Sequence, residues 1–112
     1  MAEKWVDGTN VVITVCDMTG RIIYMNDQSA RQFAKYGGLE LIGRSLFDCH
    51  PEPACKKLRE LLITPKRNIY TIIKNGKKKM IVQSPWYKEE IFGGLVELSF
   101  ELPDDIPHFD RS

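Results

Sequence analysis

The sequence predicts an α+β fold: a five-stranded antiparallel sheet with short helices on one face. Three observations carry that prediction. β-branched runs stand at both ends of the chain, helical spacing is confined to the middle, and turn residues sit where antiparallel strands would reverse. The order is two strands, a helical middle and three strands. One layer of sheet under one layer of helices satisfies it, because each amphipathic helix needs a surface to cover. The helical middle is short, so a hollow between helices and sheet is expected, and small-molecule sites tend to form in such places.

The elements follow in order. Val11 to Cys16 and Arg21 to Met25 are strand-like runs around Asp17-Met18-Thr19-Gly20, which predicts a hairpin. Asn26 or Asp27 can cap a helix whose Ala30, Phe33 and Ala34 share a face and which Gly37-Gly38 ends. Leu39 to Ile42, cut by Gly43, is one helical turn. A second helix is predicted beyond Leu46 and Phe47, with Pro51 in its first turn and Ala54, Cys55, Leu58, Leu61 and Leu62 as its buried stripe. Thr64-Pro65 stops it. Asn68 to Ile73 meets Met80 to Gln83 across Lys74 to Lys79, where Asn75-Gly76 suits a type I′ turn with positive φ at both central residues. Lys88-Glu89-Glu90 is a further turn, and Phe92-Gly93-Gly94 a bend or bulge. The last strand alternates, with Val96, Leu98 and Phe100 on one face and Glu97, Ser99 and Glu101 on the other. These boundaries divide the chain into an N-terminal extension (1–10), one domain (11–102) and a C-terminal tail (103–112).

Composition narrows the function classes. A length of 112 residues is one domain's worth, and 43% hydrophobic with 28% charged residues is the balance of a globular fold. Sixteen basic against fifteen acidic residues argue against bulk electrostatic binding of nucleic acid. No apolar run approaches the roughly 20 residues of a membrane span, and Met1-Ala2-Glu3-Lys4 does not open a signal peptide. Three cysteines, an odd number, point to a reduced cytoplasmic setting. No nucleophile elbow, phosphate-cradling glycine loop or His-Glu-x-x-His helix is present, so an enzyme is the least supported class.

Three separated motifs carry a family resemblance. Asp17 to Asn26 forms the opening strand-turn-strand with an Asn at the helix start. Leu41-Ile42-Gly43-Arg44-Ser45-Leu46-Phe47-Asp48 forms a "GR-x-L-F-D" link, and Gly93-Gly94-Leu95-Val96-Glu97 a closing "G-x-x-E" strand. Together they resemble a PAS domain over about Val11 to Glu101. The resemblance implies the PAS fold and a role in sensing and signal relay rather than catalysis. Members bind haem, flavins, carboxylates or no visible ligand, and many serve as dimerisation surfaces. Cys49-His50-Pro51 resembles a C-H-P variant of the family. It is also similar to the haem PAS domains of carbon-monoxide-responsive transcription regulators, which implies His50 and Met80 as the candidate haem ligands. Tyr70 stands near where a third ligand, a Cys, would fall.

Each candidate residue has two readings. His50 is a proximal haem ligand or a helix-capping histidine ahead of Pro51. Met80 is a soft thioether ligand or core packing, and alternation supplies a check: if Met80 faces the helices, so do Val82 and Ser84, while Ile81 and Gln83 face away. Cys49, His50 and Cys55 supply three local ligands where structural zinc wants four, and Cys55 lies on the apolar stripe. Cys16 and Cys49 are flavin-adduct cysteines or buried inert thiols, and the "N-C-R-F-L-Q" flavin motif is missing. The four lysines of Lys74 to Lys79 are a contact for nucleic acid or an acidic partner, or a solvated hairpin tip that discourages edge-to-edge strand pairing.

The sequence therefore leaves two classes in competition. One is a cytoplasmic sensory and signal-transduction domain with a small ligand, haem included, in a pocket lined by Phe33, Leu46, His50, Leu58, Tyr70, Ile72 and Met80. The other is a filled interaction module. Its partner is a signalling protein or a second copy of the chain, met through the apolar Trp5 and Val6. Neither nucleic acid nor membrane is an expected partner.

Overall fold

The computed structural model describes residues 4–48 and 52–112. Its helices are α1 (Lys4–Gly8), α2 (Asp27–Gln32) and α3 (Ala54–Ile63), with single 3-10 turns at Ala34–Tyr36, Gly38–Leu41 and Leu46–Asp48. Its strands are β1 (Val12–Cys16), β2 (Ile22–Met25), β3 (Asn68–Lys74), β4 (Lys77–Lys88) and β5 (Ile91–Glu101). They form one antiparallel sheet in the order β2-β1-β5-β4-β3. The predicted fold class is the observed one.

Local chemistry explains the elements. In the β1–β2 turn, Asp17 Oδ1 accepts hydrogen bonds from the Thr19 amide (2.9 Å), the Thr19 hydroxyl (2.7 Å) and the Arg21 amide (3.0 Å). Burial pushes the Asp17 carboxyl up, but these bonds and the Arg21 charge outweigh it and hold the group below its ordinary range. Asn26 caps α2 and does more. Its Oδ1 accepts from the Ser29 and Ile13 amides, and its Nδ2 donates to the Val11 and Val6 carbonyls, so one buried side chain ties α1, β1 and α2 together. The predicted helix through Ala34 ends earlier, at Gln32, and continues as a 3-10 turn. Residues 1–10, expected as an extension, include α1, whose Asp7 carboxylate accepts from the Tyr24 hydroxyl.

The β3–β4 turn has positive φ at both Asn75 and Gly76 (54° and 76°), as a type I′ turn requires. The predicted bulge lies at Gly93: Trp86 pairs with Gly94 and Tyr87 with Phe92, leaving Gly93 extra. Glycine is required beside it. A Cβ on Gly94 would stand 2.0 Å from the Cys16 carbonyl oxygen, at a φ of +146°. The same carbonyl accepts from the Trp86 indole nitrogen at 2.9 Å.

Helices α2 and α3 cover one face of the sheet. Thr14 Oγ1 meets Ser29 Oγ of α2 at 2.6 Å, and α3 buries Cys55, Leu58 and Leu61 on the same side. The core there joins Cys16, Ile22, Met25, Leu41, Leu46, Leu58, Leu61 and Leu95, with Phe33, Phe47 and Leu62 against it. Among the described residues no helix is long and apolar enough to cross a membrane.

Candidate functional site

Strand register decides which side chains enter the space between sheet and helices. Thr14 pairs with Glu97, Glu97 with Gln83, and Gln83 with Asn68, so these four share the helix-covered face, joined there by Ile81, Leu95 and Ser99. The next register row is Ile13, Leu98, Val82 and Ile69, on the opposite face with Val96, Phe100, Met80 and Ile73. The amphipathic last strand is therefore turned over: its Leu95, Glu97 and Ser99 row meets the helices, and its Val96, Leu98 and Phe100 row is only partly buried on the outer face.

Among the described residues, the covered space under α3 is almost filled. A void of about 10 Å³ remains, lined by Phe33, Leu46 and Leu58 from the helical side and by Thr14, Gln83, Leu95 and Glu97 from the sheet. That is about the room one water needs. Across it runs a polar chain that residue types alone did not reveal. Asn68 Nδ2 donates to Gln83 Oε1 at 2.8 Å, and Gln83 Nε2 donates to Glu97 Oε2 at 2.9 Å, with Gln83 itself buried. The signal that could have found it is the polar period-2 row Glu97, Ser99 facing Gln83.

Of the expected pocket residues, the structure brings together Phe33, Leu46 and Leu58. Tyr70 and Ile72 share their face of the sheet but lie on the edge strand β3, 41% and 36% exposed, beyond the void. Burial and the Glu97 charge push the Tyr70 hydroxyl up. Met80 is on the other face: it pairs with Phe100 and Thr71, while Ile81 and Gln83 are the residues buried toward the helices. The alternation is thus the reverse of the one Met80 would need as an inward ligand. Cys49, His50 and Pro51 lie outside the described residues.

Among the described residues, the space lined by Phe33, Leu46 and Leu58 is too small for a haem. Pockets for ligands of drug size occupy about 300–1,000 Å³, and the Met80 thioether is separated from the Leu46 and Leu58 side by the sheet itself. Cys16 is buried under the Trp86 and Gly94 contacts, and burial raises its thiol pKa, so it lacks the thiolate character of a reactive cysteine. Cys55 is buried on α3, its sulfur 3.3 Å from the Phe47 carbonyl.

Comparisons with known proteins agree with the fold. The family model described as the PAS fold matches residues 6–65. Among solved structures, the chain is similar to the PAS domain of the histidine kinase ThkA, at 18% identity and a TM-score of 0.66, covering 80% of this chain and 96% of that one. It is similar to the Aer2 receptor of Vibrio cholerae, a dual PAS-haem oxygen sensor, at 14% identity and a TM-score of 0.63, covering 88% and 99%. It is also similar to the VqmA dimer of Vibrio cholerae, at 16% identity and a TM-score of 0.68, covering 89% of this chain and 49% of that one. A comparison with curated proteins gave no match.

Proposed function

The chain belongs to the PAS fold family, and on that footing we propose that it is a non-catalytic, cytoplasmic signal-transduction module that works by docking a second copy of itself through the outer face of its sheet. A change in that contact passes along β4 and β5 to the helices on the other side. The observation that carries this reading is the division of the sheet. Under α3 the helix-covered face closes on a void of about 10 Å³, whereas Val82, Val96, Leu98 and Phe100 form a partly exposed apolar surface on the opposite face. A filled interior with an open apolar face is the arrangement of an interaction module.

Two further features support a second copy as the occupant. Trp5 on α1 is 70% exposed, and α1 is anchored through Asp7 to Tyr24, which stands on the outer face beside Val15. The similar VqmA structure is a dimer. Sedimentation velocity of the intact chain across a concentration series tests the reading. Reversible dimerisation that Trp5→Ser weakens is expected, and a monomer at every concentration would overturn it.

The haem-sensor alternative has its own test. The visible spectrum of the protein titrated with haem is expected to show no saturable binding. A stoichiometric low-spin spectrum that shifts with carbon monoxide and is lost in His50→Ala would replace the docking reading with a gas or redox sensor.

A further inference from the structure

We propose that the cleft between α2 and the tip of the β3–β4 hairpin binds a small polyanion, a molecule carrying two or more carboxylate or phosphate groups. The cleft is open and has a volume of about 690 Å³, within the range of small-molecule sites. Four cations line it from three elements: Arg31 from α2, Lys74 from β3, and Lys77 and Lys79 from β4. Glu101 of β5 is the one carboxylate among its lining residues. Lys77 reaches Glu101 at 3.7 Å, and Arg31, Lys74 and Lys79 have no ion-pair partner among the described residues. The chain as a whole has a formal charge of +1, so this excess is a property of the cleft and not of a basic protein.

The hairpin register strengthens the case. Lys74 pairs directly with Lys77, and like charges directly opposite one another destabilise a sheet. An anion held between them replaces repulsion with two attractions. Alternation also sorts the lysines: Lys74, Lys77 and Lys79 fall on the face that α2 covers, while Lys78, paired with Ile73, falls on the other. The tip is therefore not a uniformly solvated charge run. Asn10, Gln28 and Gln32 bring amide donors to the same cleft, which suits an oxygen-rich ligand and not a flat apolar cofactor. The cleft shares no lining residue with the void under α3. A ligand there would join α2 to the hairpin across the sheet without entering the core.

The test titrates the ¹⁵N-labelled intact chain with inorganic pyrophosphate and, separately, with citrate at near-physiological salt. Saturable amide shifts confined to α2 and the hairpin are expected with at least one probe. Pyrophosphate alone would assign phosphate chemistry, and citrate alone polycarboxylate chemistry. Arg31→Gln, at an exposed position, and Lys79→Gln should each weaken binding about tenfold, as loss of a charge-assisted contact does. Glu101→Gln should tighten it. Lys78→Gln, on the same hairpin but the opposite face, should leave it unchanged. No saturable binding by either probe would overturn the proposal. So would an equal loss in Lys78→Gln and Lys79→Gln, which would mean diffuse attraction to the hairpin. Neither failure would affect the dimerisation reading, whose Val82, Val96 and Leu98 do not line the cleft, Phe100 alone bordering both.

Discussion

The two faces of the sheet carry chemistry opposite to what their cover would suggest. Under the helices lie the buried Ser99 and the hydrogen-bonded Thr14, Gln83 and Glu97; on the opposite side lie Val82, Val96, Leu98 and Phe100. In a lone domain the apolar row of an alternating strand is ordinarily the covered one. The inversion teaches that the covered face is specified by directional contacts as much as by apolar area. It also teaches that the outer row has a use outside the monomer. A buried amide chain costs little when every member is paired, and much when one is removed.

Four changes would sharpen or break that comparison. Leu61→Ala removes a fully buried side chain of α3 from the covered face and should cost about 3 kcal/mol in urea denaturation. Gln83→Ala leaves Asn68 and Glu97 without their shared partner, and about 2 kcal/mol is expected by the same measurement. If Gln83→Ala proved neutral, the polar chain would have no part in fixing the covered face. On the outer face, Leu98→Glu should weaken self-association at least tenfold, about 1.4 kcal/mol, in a sedimentation series. It should change monomer stability by less than Leu61→Ala does, and an equal loss would erase the distinction between the faces.

The smallest effect concerns α1. Burial and the Asp7 carboxylate raise the Tyr24 hydroxyl from 10.0 to about 12. Because the folded value is the higher one, this contribution to stability is fully present below pH 10 and is lost as pH rises from 10 towards about 12, where the phenolate forms beside Asp7. Hydrogen exchange at α1 amides should rise over that window, and Tyr24→Phe should remove the pH dependence.

Much of this architecture was legible in the residues. Asn75-Gly76, Asn26, Thr64-Pro65 and the Gly93-Gly94 bulge each encode a local geometry that few other residues adopt, and each stands where it was expected. Alternation on β5 was legible too, since it needs only the period-2 geometry of a strand. Which of the two rows would meet the helices was not, because that depends on partners distant in sequence: Gln83 for Glu97 and Ser29 for Thr14. Which way Met80 faces was not legible for the same reason: its register is set by Phe100 and Thr71. Of the expected pocket, Phe33, Leu46 and Leu58 converge, while Tyr70 and Ile72 sit at the sheet edge, where strand order and not residue type decides exposure. The basic cleft was half visible: the lysines stood out, but Arg31 joins them only through the packing of α2 on the sheet.

The claim that the outer face docks a second copy is tested most directly by intermolecular nuclear Overhauser contacts in a mixed sample, one half methyl-labelled and the other unlabelled. Cross-molecule contacts from the methyl groups of Val82, Val96, Leu98 and Met80 are predicted, with none from Leu58 or Leu61. Contacts arising only from α3, or none at concentrations where the chain associates, would contradict it.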